Sequence, residues 1–251
     1  MDFMVFIYGL LIGSFLNVVI YRLPKDENIA FPPSSCPSCQ ARIAWYDNIP
    51  LLSYILLRGR CRSCGNRISI QYPLVELANG LLYIRFIRHF GFNIDFIFYA
   101  LMGSVLLAIC LIDLKEMIIP DSLVLTILGL SIIHKAINFF VYDINPNILT
   151  SLGGLLIAGG FFLLIVLLTG GMGGGDVTLI GALGFVLGLR LILLNILLSF
   201  VLGSIISLIL LATKLKTKKD PIPFGPFIIV AFFVVLLYGD RLFYWYFNLF
   251  L

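Results

Sequence analysis

Long apolar runs separated by short polar stretches make up most of the chain. Runs near 3–22, 73–90, 94–113, 121–142, 148–169, 176–189, 191–213 and 224–249 stand out, measured against the roughly 20 apolar residues that carry a helix across a bilayer. The run at 73–90 contains Glu76, Arg85 and Arg88, and the run at 176–189 is short, so these two are the weakest of the series. The pattern predicts an all-α integral membrane protein of about eight transmembrane helices. Its expected parts are a first transmembrane helix (1–23), a small polar loop domain (24–72) and a multi-helix membrane core (73–251). No internal repeat is visible. Several runs are rich in small residues, such as Gly153, Gly154, Gly159 and Gly160, which let helix backbones approach closely in a membrane.

Composition makes lipid the solvent. The chain is 61% hydrophobic and 12% charged, with a mean hydropathy of +1.07; soluble domains run at roughly 45–50% apolar and about 25% charged. No Lys or Arg precedes the first apolar run and no small-residue cleavage site follows it, so that run is expected to be a retained span. The net charge of +4 says less than where the charges fall. Lys25, Arg42, Arg58, Arg60, Arg62 and Arg67 lie in the 24–72 loop, and Lys214, Lys216, Lys218 and Lys219 precede the last run. With eight helices both loops share one face, which the positive-inside rule makes cytoplasmic. The connection from Asp143 to Asn147 lacks Lys and Arg, as an outside loop should. Arg85 and Arg88 break the rule and are expected to snorkel or pair. This topology puts Asp113 and Asp176 on the same side at similar depth.

The loop contains CPSC (Cys36 to Cys39) and CRSC (Cys61 to Cys64), 21 residues apart. Four thiolates in two C-x2-C knuckles match a closed, tetrahedral structural zinc site. Disulfides are the competing reading, disfavoured in a reducing cytoplasm, and a redox role is a further alternative. Cys110 stands apart and reads as a small apolar residue of its helix.

Asp113, in AICLIDLKEMIIPD, and Asp176, in GGMGGGDVTLIGALG, lie in apolar surroundings. A carboxylate near hydrocarbon costs several kcal/mol unless paired or hydrated, so an intramembrane acid is a functional hypothesis by default. Five of the six residues before Asp176 are glycine. Non-helical backbone at membrane depth is tolerated only where it is buried in protein or lines a wet cavity. If the two acids face each other, like charge makes one keep its proton, so that one can activate water and the other can donate to a scissile carbonyl. The plainer readings stay open: Asp176 as a helix N-cap after a flexible link, and Asp113 as a helix-terminal acid reaching water. Asp121 reads as the N-cap of the following helix, with Ser122 as the alternative, and Lys115 and Glu116 as interfacial charges. His89 and His134 have no partner motif.

With those residues in hand, the chain resembles the type IV prepilin leader peptidases, membrane aspartyl proteases of the G-x-G-D kind that also N-methylate their product. The resemblance runs through GSFLNVVIYRLP (13–24), the two knuckles, WYDNIPLLSY (45–54), RGRCRSCG (58–65), YPLVE (72–76), IDLKEMIIPD (112–121), GMGGGDVTL (171–179) and PFGPF (223–227). It implies that Asp113 and Asp176 are the catalytic acids. It also implies that Cys36, Cys39, Cys61 and Cys64 bind structural zinc, and that S-adenosylmethionine is the methyl donor. Thr178 stands where the family commonly has Lys. The implied substrates are prepilins and pseudopilins with a basic leader, cut at the cytoplasmic face of the bacterial plasma membrane. Membrane lipid is the other expected partner, and no nucleic acid is expected. For the methyl-transfer region the loop is the expected place, with Gly59, Arg60 and Glu76 as candidates, although its arginines could equally serve to orient the protein by charge. No G-x-G-x-x-G, H-E-x-x-H or Ser–His pairing is present. Two rivals from other classes are an ion-coupled transporter, which also uses glycine-broken helices and intramembrane acids, and a non-catalytic assembly factor that docks through its zinc loop.

Overall fold

The computed structural model describes residues 1–217 and 220–250, with the side chains of 245–250 left aside; Lys218 and Lys219 lie outside the described residues. The chain forms helices α1 (Asp2–Arg22), α2 (Leu52–Leu56), α3 (Gln71–Phe90), α4 (Ile94–Glu116), α5 (Asp121–Tyr142), α6 (Ile148–Thr169), α7 (Gly174–Ala212) and α8 (Gly225–Phe250). Among the described residues the only β pairing is two isolated bridges. Six helices are long and apolar enough to cross a membrane: α1, α4, α5, α6, α7 and α8. The expected count of about eight spans is not confirmed as such. Helix α3, with its charged residues, is not among the six, and the runs at 176–189 and 191–213 are joined within α7. The chain packs as two compact units, Met1–Ala108 and Ile109–Leu251, with the boundary inside α4.

In the first unit α1 lies against α3 through glycines. A Cβ at Gly9 would sit 2.8 Å from the Gly80 Cα, and one at Gly13 would sit 2.7 Å from the Glu76 Cα. Spaced four apart, Gly9 and Gly13 form the small-xxx-small stripe that lets backbones touch in lipid. Such closeness lets polar side chains bond directly across it. Asn79 donates to the Gly9 carbonyl at 2.7 Å and accepts from Ser104 Oγ at 2.8 Å. Asn17 donates to the Tyr72 carbonyl at 3.1 Å. The expectation that Arg88 pairs is met at the far end, where its Nε is 2.8 Å from Asp2 Oδ2.

In the second unit α7 is broken at Gly188, whose φ of 73° and ψ of 173° are not helical. Neighbour contacts show what the break does. Going toward it, α7 runs antiparallel to α6: Gly159 lies against Gly181, and the backbones of Gly154 and Gly184 touch. At the break Gly188 meets Thr150, yet beyond it Phe200 stacks near Phe162 with ring centroids 5.8 Å apart. The second arm of α7 therefore turns back along α6 in the opposite sense. Helix α8 then runs antiparallel to that arm, with Gly239 against Leu191, Asn195 donating to the Ile228 carbonyl at 3.3 Å, and Gly203 against Phe224 and Phe227. As a result the ends of α6 and α7 and the starts of α7 and α8 gather at one end of this unit.

Gly154 and Gly160 lie on the same helix but differ in what a side chain would meet: backbone of Gly184 in one case, nothing within 4 Å in the other. Gly154→Val should lower stability by about 1–3 kcal/mol, as overpacking does, and Gly160→Val should leave it within about 0.5 kcal/mol. Unfolding of the two variants in detergent checks the contrast.

Candidate active site and metal centre

Cys36, Cys39, Cys61 and Cys64 are all free, and their sulfurs lie within 4.8 Å of one another. Cys36 and Cys64 Sγ are 3.9 Å apart, close to the roughly 3.8 Å edge of a tetrahedron with metal–sulfur bonds of about 2.3 Å. The two knuckles are built alike. Cys36 N–H donates to the Ala41 carbonyl and Gln40 N–H to the Cys36 carbonyl; Cys61 N–H donates to Asn66 and Gly65 N–H to Cys61. Gln40 and Gly65, at matching positions, both have positive φ, of 59° and 73°. This tight turn aims amides at sulfur: the Cys39 and Ser38 N–H groups hold the Cys36 thiol down to about 6. A clustered set of four thiols of this kind could hold a metal ion. The loop is also pinned outside the knuckles, by Arg62 bidentate on Asp47 at 2.7 and 2.8 Å, an interaction that keeps the Asp47 carboxyl below its ordinary range.

The three residues considered for methyl transfer have these positions. Gly59 (φ 66°) is buried, and a Cβ there would be 3.0 Å from the Tyr54 ring. Arg60 is exposed and bridges to Arg67. Glu76 is buried in α3, and its Oε2 accepts from the Leu51 N–H at 2.8 Å, which fastens the loop to that helix.

Asp113 and Asp176 both belong to the second unit, and both are buried, at 4% and 7% exposure. They lie close enough to interact electrostatically. Asp113 is in the last two turns of α4, beside the fully buried Ile112. The chain then turns at Met117, whose φ is 55° and whose N–H donates to the Asp113 carbonyl. Asp176 is not the N-cap itself. The cap is Gly173, and Asp176 stands three residues on, its Oδ2 accepting from the Gly173 N–H at 3.3 Å. Glycine has no side chain with which to cap, so the acid reaches back to satisfy the free amide. The other Asp176 oxygen, Oδ1, and Asp113 Oδ2 are each buried with no protein hydrogen-bond partner.

Asp121 departs from its expected place as the cap of the following helix. Asp121 is exposed in the first turn of α5, where Pro120 occupies the cap and no side chain caps the helix. Thr178 folds its hydroxyl back to the Gly175 carbonyl at 3.0 Å. Cys110 is partly buried in α4, and His134 bonds Asn138 one turn along α5 at 3.2 Å. Ile119 is a neighbour of the acids whose place the sequence motifs do not reveal. A Cβ at Gly175 would sit 2.8 Å from Ile119 Cβ, and one at Gly225 would sit 3.2 Å from Ile119 Cδ1. Ile119 thus touches the glycine next to each acid.

Known proteins resemble this chain over most of its length. Residues 7–90 match the bacterial peptidase A24 N-terminal domain, and residues 100–208 match the type IV leader peptidase family. Curated relatives include a prepilin leader peptidase/N-methyltransferase of Legionella pneumophila, 34% identical over 96% of this chain and 92% of its own. Another, from Stutzerimonas stutzeri, is 38% identical over 94% of this chain and 90% of its own. A third, from Aeromonas hydrophila, is 36% identical over 99% and 94%. No solved structure matches the chain significantly. The chain belongs to the type IV leader peptidase family.

Metal analysis of the purified protein should find about one divalent ion per chain, the stoichiometry of a four-thiolate site. Cys36→Ser should lose it and expose the 24–72 loop to protease.

Proposed function

We propose that this protein cuts the basic leader from prepilins and pseudopilins at the cytoplasmic face of the plasma membrane, then N-methylates the new N-terminus. The observation that carries the peptidase half is the juxtaposition of two buried, interacting acids, each with one oxygen unpartnered. Family membership supports the same reading, and the relatives' names join peptidase to N-methyltransferase.

In this reading Asp113 and Asp176 divide one proton between them, because two ionised carboxylates at close range in an apolar setting repel. The ionised acid takes a proton from water as the oxygen attacks the scissile carbonyl. The neutral acid hydrogen-bonds that carbonyl, stabilises the tetrahedral oxyanion and later supplies a proton to the leaving amine. Protons are conserved over the cycle, and the pair titrates as a unit. The Gly173 amide holds Asp176 in place throughout. A prepilin fits the setting: its apolar helix stays in lipid while its charged leader lies in water, and the cut falls between them.

The basic loops put residues 24–72 in the cytoplasm by the positive-inside rule. There the four cysteines would hold zinc as a structural ion, which supplies loop order and no chemistry of its own. S-adenosylmethionine is the methyl donor implied by the relatives' names, and the loop, with Gly59, Arg60 and Glu76, is assigned to methyl transfer. Of these, Glu76 acts by fastening the loop through Leu51.

Incubating the purified protein with a prepilin peptide tests the dyad. Asp113→Asn and Asp176→Asn should each lower cleavage by about 10²–10⁴-fold, the range for a lost acid–base group, whereas Asp121→Asn should keep most activity. Full cleavage by either dyad variant would sink the assignment, and no cleavage by wild type would favour a carrier or a scaffold. Cys61→Ser should reduce methyl transfer more than cleavage; equal loss would show that the loop also shapes the peptidase site.

A further inference from the structure

Helix α8 begins with Gly225, and nothing about its backbone calls for glycine, because its φ lies outside the positive range that side chains avoid. What it lacks is room. A Cβ built there would sit 2.5 Å from Asp113 Oδ2 and 3.2 Å from Asp113 Cγ, well inside van der Waals contact. The Gly225 N–H also approaches the same carboxyl. As the first amide of α8 it has no acceptor within the helix, and the amides next to it are not competitors. Pro226 has no N–H, and the amides of Phe227 and Ile228 both turn back to the Phe224 carbonyl. Phe224 in turn is held by tilted ring contacts with Phe200 (5.2 Å) and Phe162 (5.9 Å) and an edge contact with Phe227 (5.9 Å).

We propose that Gly225 is the positioning residue of Asp113: its bare backbone makes the space for the carboxyl group and presents an N–H to it. The aromatic cluster holds the start of α8, and the start of α8 holds the acid. Asp113 has little freedom to give way, since Ile112 on its own helix is fully buried and Ile119 fills the gap toward Gly175. A methyl group at position 225 therefore moves the acid relative to Asp176 and leaves substrate-binding surfaces elsewhere unchanged. This assignment rests on the peptidase reading above.

The test uses full-length protein in lipid nanodiscs, a prepilin-type peptide with its leader, and a second peptide already bearing the free mature N-terminus. Gly225→Ala should lower kcat for cleavage by about 100-fold, the effect of displacing a reacting group by ~1 Å, with KM within about threefold. Methyl transfer to the leaderless peptide and the melting temperature should stay at wild-type values. Gly160→Ala, where a Cβ meets nothing within 4 Å, should match wild type throughout. Cleavage by Gly225→Ala within about threefold of wild type, far short of the displacement effect, overturns the assignment. So does loss of cleavage, methyl transfer and thermal stability together, because that pattern makes Gly225 a packing residue only. A wild type that methylates the second peptide but cuts nothing refutes the peptidase reading itself, and the assignment falls with it.

Discussion

Burying a carboxyl group among apolar side chains is expensive unless something polar meets it, and the second unit buries two of them. The response is built from backbone. Gly173 gives its amide to Asp176, and the start of α8 brings the Gly225 amide to Asp113. A backbone donor is rigid and cannot rotate away, so the Gly173 amide holds Asp176, while the bare Gly225 backbone packs directly against Asp113 Oδ2. Glycine is what allows main chain to come this near, and Ile119, wedged beside two glycines, sets how near. The turn at Gly188 and the aromatic cluster around Phe224 serve that arrangement by bringing three distant segments to one place.

The first unit follows a different logic. Its loop has few buried apolar residues: Trp45, Ile55, Leu56 and Ile70 are all largely exposed. Order there comes from directional bonds, namely four clustered thiols, the Arg62–Asp47 pair and the link from Glu76 to Leu51. Metal-binding energy can stand in for a hydrophobic core in so short a segment. Beneath it, α1 and α3 are joined by glycine contacts and by the amides of Asn17 and Asn79.

Much of this was legible in the chain. Lipid forces long apolar helices to announce themselves, so five of the runs match helices within a few residues, while the run at 73–90 is not among the six candidate spans. The knuckle spacing announced a cysteine cluster able to hold a metal ion. The acids could be singled out because charge in an apolar run needs a reason. Features that depend on segments far apart in sequence could not be read. The run from 176 to 213 showed only a gap, not the reversal at Gly188, because the direction of a helix after a bend depends on what it packs against. The plainer alternative for Asp176, a helix N-cap, differs from the structure because Gly173 takes the cap position and the acid reaches back to its amide. Gly225 stood out only as part of a motif, since nothing in PFGPF says that Asp113, more than a hundred residues earlier, would lie against it.

The reversal at Gly188 has a consequence for water. The arm of α7 before the bend, Gly174 to Leu187, is only about 21 Å long at 1.5 Å per residue, well short of the roughly 30 Å of hydrocarbon in a bilayer. Helix α6 beside it is 22 residues long and starts level with the bend, so it overhangs the shorter arm by more than a turn at the other end. A short helix beside a long one leaves a step in the membrane-facing surface. Hydrolysis within a lipid-bound protein needs such a step, where solvent can reach a bond that lipid would otherwise cover.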